Sequence, residues 1–240
     1  SYKLKNRFHK KKSSLDIAGY LEIKNFNINL INDFYKNYKN KIDNNNFQYF
    51  ENTSLALRVN LDLIDKNKAL DIIYDNKNLI SQIKNFYNSD FVITNVTAYR
   101  TFHYDNDKNL TEQYSNYWHC DHYLKTLMKV FIFLDRVNIV DGPFQCFNIS
   151  DTKKLVKNGF HNRALHFNNS KYKDKYKNFI GKVGEGYICR TTECVHRAGI
   201  PKENKYRDIL HFDVFPEKNA KITKYIDQLS PILSKEFGKI

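Results

Sequence analysis

A run of short apolar segments, separated by turn residues, fills the second half of the chain and limits the fold more than any other feature. These segments are rich in β-branched and aromatic residues, which is typical of strands. They lie at about 91–103, 113–120, 126–137, 143–149, 161–167, 185–191, 193–198 and 206–215. Turn sequences such as "DGPF" (141–144) and "VGEGY" (183–187) stand between them. The pattern predicts a sandwich or jelly roll.

The first third of the chain shows a helical pattern instead. Residues 28–42 and 61–88 carry apolar side chains three and four positions apart, and residues 219–237 return to this spacing. We therefore predict an α+β protein that is mainly β. A flexible basic lead at 1–15 would precede a single domain at 16–240, composed of a helical N-terminal part (16–90), a β core (91–216) and a C-terminal helix (219–237).

Composition narrows the class of protein. The chain has 240 residues, of which 41% are hydrophobic, enough to bury a core. It lacks the 18 to 20 consecutive apolar residues of a membrane span, and no apolar segment follows its basic start, so we expect neither a membrane span nor a secretory signal. The four cysteines form no CxxC pair, so we expect reduced thiols, no structural zinc site and a cytoplasmic location. Neither GxGxxG nor GxxxxGK[ST] occurs, which excludes Rossmann and P-loop sites.

The chain is strongly basic, with a formal net charge of +13 and a pI of about 9.4. Such a charge can indicate an anionic partner, such as a nucleic acid, a phosphorylated metabolite or an acidic glycan. It can also reflect a composition rich in Lys and Asn, as in "KNYKNKIDNNN". The lysines are scattered and no nucleic-acid-binding signature is present. Nucleic-acid binding therefore remains the minor alternative.

The segment "WHCDHYLKTLMKVFIFLDRV" (118–137) has a polar start followed by the most apolar strand of the chain. Residues two apart on a strand share a face, so His119 and Asp121 would project together. A third ligand is available in "RTTECVHRAGIP", where His196 ends another apolar segment. Two histidines and one carboxylate on one side of a metal form the facial triad of non-haem Fe(II) oxygenases, which leaves three positions open.

Arg207 follows His196 by eleven residues, in "KYRDILHFDVF". In antiparallel strands joined by a short turn, this offset can return the guanidinium to the neighbourhood of the metal. A buried arginine needs an anionic partner, and a carboxylate fits its paired donors. The sequence thus predicts a metal site with a carboxylate clamp, which together suit a 2-oxo acid.

The ordered set of Trp118-His119-x-Asp121, the "LKTLMKVFIFL" strand, the Asp-Gly-Pro turn, His196-Arg197-x-Gly199 and Arg207 resembles the phytanoyl-CoA dioxygenase family of Fe(II)/2-oxoglutarate oxygenases. The resemblance covers roughly residues 95–215. It implies a double-stranded β-helix (jelly roll, cupin-like) core with N-terminal helices packed outside and a helix after it.

The same resemblance implies Fe(II) bound by His119, Asp121 and His196, with 2-oxoglutarate and dioxygen as cosubstrates. Arg207 would bind the distal carboxylate of 2-oxoglutarate. Tyr99, Gln113 and Thr191 lie at positions that can reach the cosubstrate in the family. The expected reaction is hydroxylation with release of succinate and CO2, because halogenating relatives have Gly or Ala where this chain has Asp121.

Two departures from the family pattern concern the surroundings of the site. The segment after the Gly-Pro turn reads "FNISD" rather than Pro-Gly-Ser-His, and Ala198 stands where the family often has Ser or Gly. The first departure leaves the substrate open, beyond a small or medium-sized and possibly anionic organic molecule. The second removes one hydroxyl contact to the cosubstrate.

Three alternatives stay open from the sequence. The chain could be a β-helix protein that binds metal without turnover, or a basic module that binds nucleic acid or glycan. It could also be an oxygenase that acts on a macromolecule. Neither the oligomeric state nor the identity of the substrate can be read from the sequence.

Overall fold

The computed structural model describes residues 12–49, 55–103, 112–160, 163, 172 and 175–217. Five helices lie within these ranges: α1 (Ser14–Ile17), α2 (Ile28–Asp43), α3 (Leu63–Asp75), α4 (Lys77–Tyr87) and α5 (Ile149–Lys157). The strands of the same ranges are β1 (Tyr20–Ile23), β2 (Phe47–Tyr49), β3 (Ala56–Val59), β4 (Phe91–Phe102), β5 (Met128–Phe133), β6 (Phe144–Cys146), β7 (Lys177–Phe179), β8 (Gly186–Cys189), β9 (His196–Arg197) and β10 (Tyr206–Pro216).

Two antiparallel sheets face each other across an interior core. The major sheet has the strand order β1-β8-β5-β10-β4-β3-β2, and the minor sheet has the order β7-β6-β9. A bridge between His119 and His196 extends the minor sheet beyond β9. Buried residues of both sheets pack together between them, among them Phe131, Phe144, Tyr187 and Ile209. This architecture confirms the predicted jelly-roll core.

The strand β10 contributes side chains to two hydrophobic cores, one on each face of the major sheet. Its side chains alternate, so Ile209 joins the interior core between the sheets, whereas Leu210 and Phe212 join the core beneath the helices. In that outer core they pack in one cluster with Ile31 and Phe34 of α2. The amphipathic helices thus cover the outer face of the major sheet and leave its inner face free to line a site.

Glycines allow the close approach of two turns at one end of the minor sheet. Gly142 has a φ of +66°, and a Cβ there would lie 2.3 Å from the backbone nitrogen of Pro201. A Cβ at Gly199 would lie 2.3 Å from the carbonyl oxygen of Pro143. Neither distance is possible for a real side chain, so the Asp-Gly-Pro turn and the segment after His196 require glycine.

The predicted strand at 113–120 is wrong. Tyr114 and Ser115 have φ angles of 36° and 61°, in the left-handed region that a strand cannot contain. The chain turns here instead, and only a bridge at His119 joins it to the minor sheet. The helical segment predicted at 61–88 consists of two helices, because Asn76 ends α3 and caps α4 through its side chain, which accepts from the N–H of Leu79 at 2.9 Å.

The N-terminal part at 16–90 is not wholly helical, since β1, β2 and β3 lie within it and join both edges of the major sheet. Apolar alternation in such short strands is too brief to recognise. The strand predicted to reach residue 149 ends at Cys146, and α5 follows with Asn148 as its N-cap. The lead predicted at 1–15 already contains the start of α1, capped by Ser13.

Other predicted segments fall outside the described residues. These are the first eleven residues of the lead, the strand at 161–167 apart from residue 163, and the helix at 219–237. Among the described helices, none is long and apolar enough to cross a membrane.

Candidate metal centre and cosubstrate pocket

His119, Asp121 and His196 converge although they come from two separate segments of the chain. The backbones of His119 and His196 pair with each other, through N–H to O distances of 2.9 and 2.8 Å. Asp121 is held beside them because its N–H donates to the carbonyl of Thr191 at 3.0 Å. One ligand atom from each of the three side chains lies within 4.8 Å of the others. The predicted triad is therefore assembled by backbone pairing.

Hydrogen bonds at Nδ1 of both histidines indicate which ring nitrogen is free to bind a metal. Nδ1 of His119 donates to the carbonyl of Tyr117 at 2.7 Å, and Nδ1 of His196 donates to the carbonyl of Cys194 at 2.9 Å. A backbone carbonyl only accepts, so in the neutral ring the proton sits on Nδ1 and Nε2 carries a lone pair. A hydrogen bond from the other ring nitrogen is also how metal-ligating histidines are oriented.

Both Nε2 atoms face the same oxygen of Asp121. The distances to Oδ1 are 3.5 Å from His119 and 3.7 Å from His196. Ligands about 2.1 Å from a shared ion, at angles of about 90° to 120°, lie about 3.0–3.6 Å apart, so the observed distances lie at the upper end of this range or just beyond it. Three acceptor atoms with no proton between them therefore fit a divalent cation, which would supply the positive charge that this arrangement requires.

The pKa values support this protonation state. Burial, followed by the neighbouring His119, lowers the pKa of His196 to about 3, so its ring is neutral near pH 7. Burial alone would raise the pKa of Asp121. The neighbouring groups, among them the ammonium group of Lys129, overcome this effect and hold the pKa well below its usual range. The set offers two imidazole nitrogens and one carboxylate oxygen.

Arg207 lies on the inner face of the major sheet with 3% of its surface exposed. Its Nη1 atom is buried and has no hydrogen-bond partner among the described residues. Thr101 is its partner across the β10–β4 ladder and therefore shares its face, and the hydroxyl of Thr101 is also buried without such a partner. A buried guanidinium beside a hydroxyl without a partner offers hydrogen-bond donors suited to a carboxylate.

The other predicted cosubstrate residues fall at different places. Tyr99 lies opposite Ile209 in the ladder and packs against the interior core, where burial raises its pKa although the charge of Arg207 lowers it. Thr191 is fully buried beside the backbone of Asp121. Gln113 lies in a turn, where its N–H donates to the side chain of Asn116. Their roles toward a cosubstrate stay predictions. His122, next to the triad, is exposed.

Aromatic rings fill the interior next to the triad. His196 lies 5.3 Å from Phe144 between ring centroids, and Phe144 lies 5.3 Å from Phe131. Phe131 stacks on His211 at 4.9 Å and on Tyr187 at 4.7 Å. These rings place apolar surface next to the imidazole of His196, and electrostatic interactions are stronger beside apolar surface than in water.

Two polar residues of the interior were missed from the sequence. Lys129 lies in the strand that was interpreted only as core, and its Nζ atom is 2.8 Å from Oδ2 of Asp121. Thr101 was passed over as an ordinary strand residue. Strand alternation could have found both, because Lys129 shares a face with Phe131, and Thr101 shares a face with Tyr99.

Three of the four cysteines also meet in the interior core. The sulfur atoms of Cys146, Cys189 and Cys194 lie within 4.8 Å of one another, with 3.6 Å between Cys146 and Cys189. Burial raises the pKa of the Cys146 and Cys189 thiols well above the usual value. The four cysteines are free, as predicted. Spacing along the chain did not reveal this group, which has one ligand fewer than a structural zinc site needs.

Several solved structures have a similar fold. The epimerase SnoN from nogalamycin biosynthesis, solved with Fe3+, alpha ketoglutarate and nogalamycin RO, matches with a TM-score of 0.61 at 10% identity, covering 83% of this chain and 80% of that chain. The carbocyclase SnoK of the same biosynthesis, described as non-heme and alpha ketoglutarate dependent, matches with a TM-score of 0.61 at 10% identity, covering 89% and 87%.

HygX from Streptomyces hygroscopicus, solved with nickel and 2-oxoglutarate, matches with a TM-score of 0.52 at 13% identity, covering 84% of each chain. No protein-family model and no curated protein matches the sequence. At these identities the comparisons establish the fold, a jelly roll shared with non-haem iron, 2-oxoglutarate-dependent enzymes.

Proposed function

We propose that the protein is an Fe(II)- and 2-oxoglutarate-dependent oxygenase that hydroxylates a small organic substrate. The observation that carries this proposal is the convergence of two imidazole nitrogens and one carboxylate oxygen within 4.8 Å, in the same interior as a buried arginine whose Nη1 has no partner among the described residues. The solved relatives of the fold, which include complexes with iron and alpha ketoglutarate, support the same class.

Each residue would have a separate task. His119, Asp121 and His196 would hold the iron from one side and leave three positions open. Arg207, with Thr101 beside it, would bind the distal carboxylate of 2-oxoglutarate, and Tyr99, Gln113 and Thr191 would adjoin the cosubstrate. When bound, the iron would supply the oxidising chemistry by which 2-oxoglutarate and dioxygen become succinate and CO2 while substrate is hydroxylated. The aromatic wall of Phe131, Phe144 and Tyr187 would exclude water.

The substrate is proposed to be a small molecule. SnoN holds nogalamycin RO, a small molecule, on a related fold. The net charge of +13 favours an anionic substrate within this class. Asp121 supplies a carboxylate where halogenating members of the resembled family have none, which favours hydroxylation. The basic surface alone carries no separate proposal of nucleic-acid binding.

Anaerobic titration with Fe(II) and then 2-oxoglutarate tests the proposal. A keto acid chelated to ferrous iron gives a weak visible charge-transfer band, which wild-type protein should show. His196→Ala should abolish the band, because two ligands remain, whereas His122→Ala should retain it as the matched control. Succinate release in a substrate screen would then report turnover. Folded wild-type protein that gives no band would refute the proposal.

A further inference from the structure

Lys129 is a charged residue in the interior between the two sheets, and it belongs neither to the triad nor to the proposed carboxylate-binding pair of Arg207 and Thr101. It is the second residue of β5, where its ladder partners are Asp213 in β10 and Cys189 in β8. Phe131 and Phe133, two and four positions further on, belong to the interior core. Alternation therefore directs Lys129 to the same face. Its side chain is 23% exposed.

The two oxygens of Asp121 have different partners. Oδ1 faces Nε2 of both His119 and His196, at 3.5 and 3.7 Å. Oδ2 lies 2.8 Å from Nζ of Lys129. The carboxylate is thus turned so that one oxygen belongs to the triad and the other belongs to the lysine.

The other acidic group near Lys129 already has partners of its own. Oδ1 of Asp213 lies 3.0 Å from Nε2 of His211, and Oδ2 accepts from the side chain of Asn95 at 3.2 Å. The negative charge of Asp213 helps to keep Lys129 protonated. The carboxylate of Asp213, however, contacts His211 and Asn95, whereas the ammonium group of Lys129 contacts Asp121. Tyr99 also faces this region. Among the acidic groups near Lys129, Asp121 is therefore the one with which it forms an ion pair.

We propose that Lys129 is a positioning residue that restricts Asp121 to one oxygen on the metal and so keeps a coordination position open for 2-oxoglutarate. Carboxylates bind metal ions through one oxygen or through both. Binding through both would use one of the three positions that the facial triad leaves free. The proposal rests on the function proposed above, and it adds a residue that the resemblance did not indicate.

The ammonium charge acts in the same direction as the geometry. A cation near the metal weakens the binding of Fe(II) and strengthens the binding of an anion such as 2-oxoglutarate. Removing it should therefore tighten metal binding and weaken cosubstrate binding. General damage to the site would weaken both, so the two affinities together separate positioning from a merely structural role.

The test compares Lys129→Met with wild-type protein by anaerobic calorimetry for Fe(II) and by the charge-transfer band for 2-oxoglutarate. Methionine keeps the length of the side chain and removes the charge. We expect Fe(II) affinity to rise several-fold and 2-oxoglutarate affinity to fall about tenfold or more, the size typical of changes to groups that orient metal ligands. Lys129→Gln provides a second neutral variant if the first does not fold.

Two further variants serve as controls. Lys129→Arg keeps the charge and should retain 2-oxoglutarate binding closer to wild type. Lys68→Met makes the same substitution at the solvent-accessible Lys68–Asp33 ion pair, whose N–O distance is 2.6 Å, and should change neither affinity.

Unchanged affinities in Lys129→Met and Lys129→Gln, or a parallel loss of both affinities, would overturn the inference. The metal titration needs no cosubstrate, so it tests the lysine separately from the proposed function. Wild-type protein that binds Fe(II) but no 2-oxoglutarate would refute the oxygenase function. A fall in the Fe(II) affinity of the neutral variants would refute the role of Lys129. If wild-type protein still gave the charge-transfer band with 2-oxoglutarate, the proposed oxygenase function would stand.

Discussion

Arg207 and Asp208 are consecutive residues of β10, and their side chains point to opposite faces of the major sheet. Asp208 faces the helices and accepts hydrogen bonds from Arg100 (Nε at 2.8 Å and Nη2 at 2.7 Å), Tyr35 (2.8 Å) and Tyr38 (2.9 Å). Arg207 faces the interior, where its Nη1 lacks a partner among the described residues. One charge is fully compensated within the fold, and the other is available to a ligand.

Asp208→Asn should strongly destabilise the protein. The substitution removes the charge that compensates Arg100 and leaves two tyrosine hydroxyls with one fewer acceptor, inside the contact between α2 and the major sheet. Removing one partner of a buried ion pair costs about 3–5 kcal/mol, because the remaining charge is left buried and uncompensated. Urea unfolding measures the change in the free energy of unfolding.

The matched control for this prediction is Asp33→Asn, which removes one partner of a much more exposed ion pair with Lys68. Such a pair contributes about 0–1 kcal/mol. If the two variants lost similar amounts of stability, the network around Asp208 would not be the link between helix and sheet that the distances indicate.

Arg207→Met should affect binding rather than folding. Removing a buried charge that has no acidic partner among the described residues should leave the stability of the apo protein unchanged or higher. Hydrogen bonds to charged groups contribute about 1.5–3 kcal/mol, so 2-oxoglutarate affinity should fall roughly tenfold to a hundredfold. Calorimetry on the Fe(II)-loaded protein measures this loss. Arg207→Lys should recover only part of the affinity, because lysine lacks the paired donors. Unchanged 2-oxoglutarate affinity would place the clamp elsewhere.

Thr101→Val tests the hydroxyl beside Arg207. Valine has nearly the same shape, and the hydroxyl has no partner among the described residues, so the apo protein should lose no stability and can gain some. Loss of one hydrogen bond to the cosubstrate should weaken 2-oxoglutarate binding by about 1.5 kcal/mol, roughly tenfold. Thr97→Val is the control, since that hydroxyl already donates to Asn95 at 3.1 Å. Equal effects of both variants on binding would contradict the assignment.

The sequence predicted the parts of the fold that have a long repeating pattern. The helix at 28–42 and the strands around Phe91–Phe102 and Tyr206–Pro216 were recognised, because each is long enough for its apolar period to show. The triad was predicted because three candidate ligand residues, two histidines and one aspartate, stand in an order that resembles a known family. Convergence itself could not be read, since it depends on the backbone pairing of His119 with His196.

The rest was hidden for physical reasons that differ from case to case. β2 and β9 have three and two residues, which is too short for any period. The turn at Tyr114 and Ser115 uses left-handed backbone in residues that rarely adopt it, so the segment was predicted as a strand. Alternation with Phe131 places Lys129 on the inner face, but its contact with Asp121 depends on the turn between the two residues, which the sequence does not specify.

The stability of the metal-free protein should fall as the pH falls from about 6.5. The pKa of His196 is lowered to about 3, first by burial and then by His119. An unfolded histidine has a pKa of about 6.5. Between these values the unfolded chain binds a proton that the folded chain does not, so acid favours unfolding. The stability that His196 contributes is fully present above pH 6.5 and is lost progressively toward pH 3, by up to about 1.4 kcal/mol per pH unit.

The carboxylates act in a lower window and can be separated from this effect. The pKa values of Asp121 and Asp213 are lowered from 3.8 despite burial, so their contributions are present above about pH 4 and lost below it. Urea unfolding with a chelator present, between pH 6.5 and 4.5, therefore reports mainly on histidine. His196→Gln should flatten the profile in this window, whereas His122→Gln, at an exposed position, should leave it unchanged. A wild-type profile that is already flat, or one with the same slope in His196→Gln, would mean that folding does not lower the pKa of His196, and would contradict a buried, neutral ring in the folded protein.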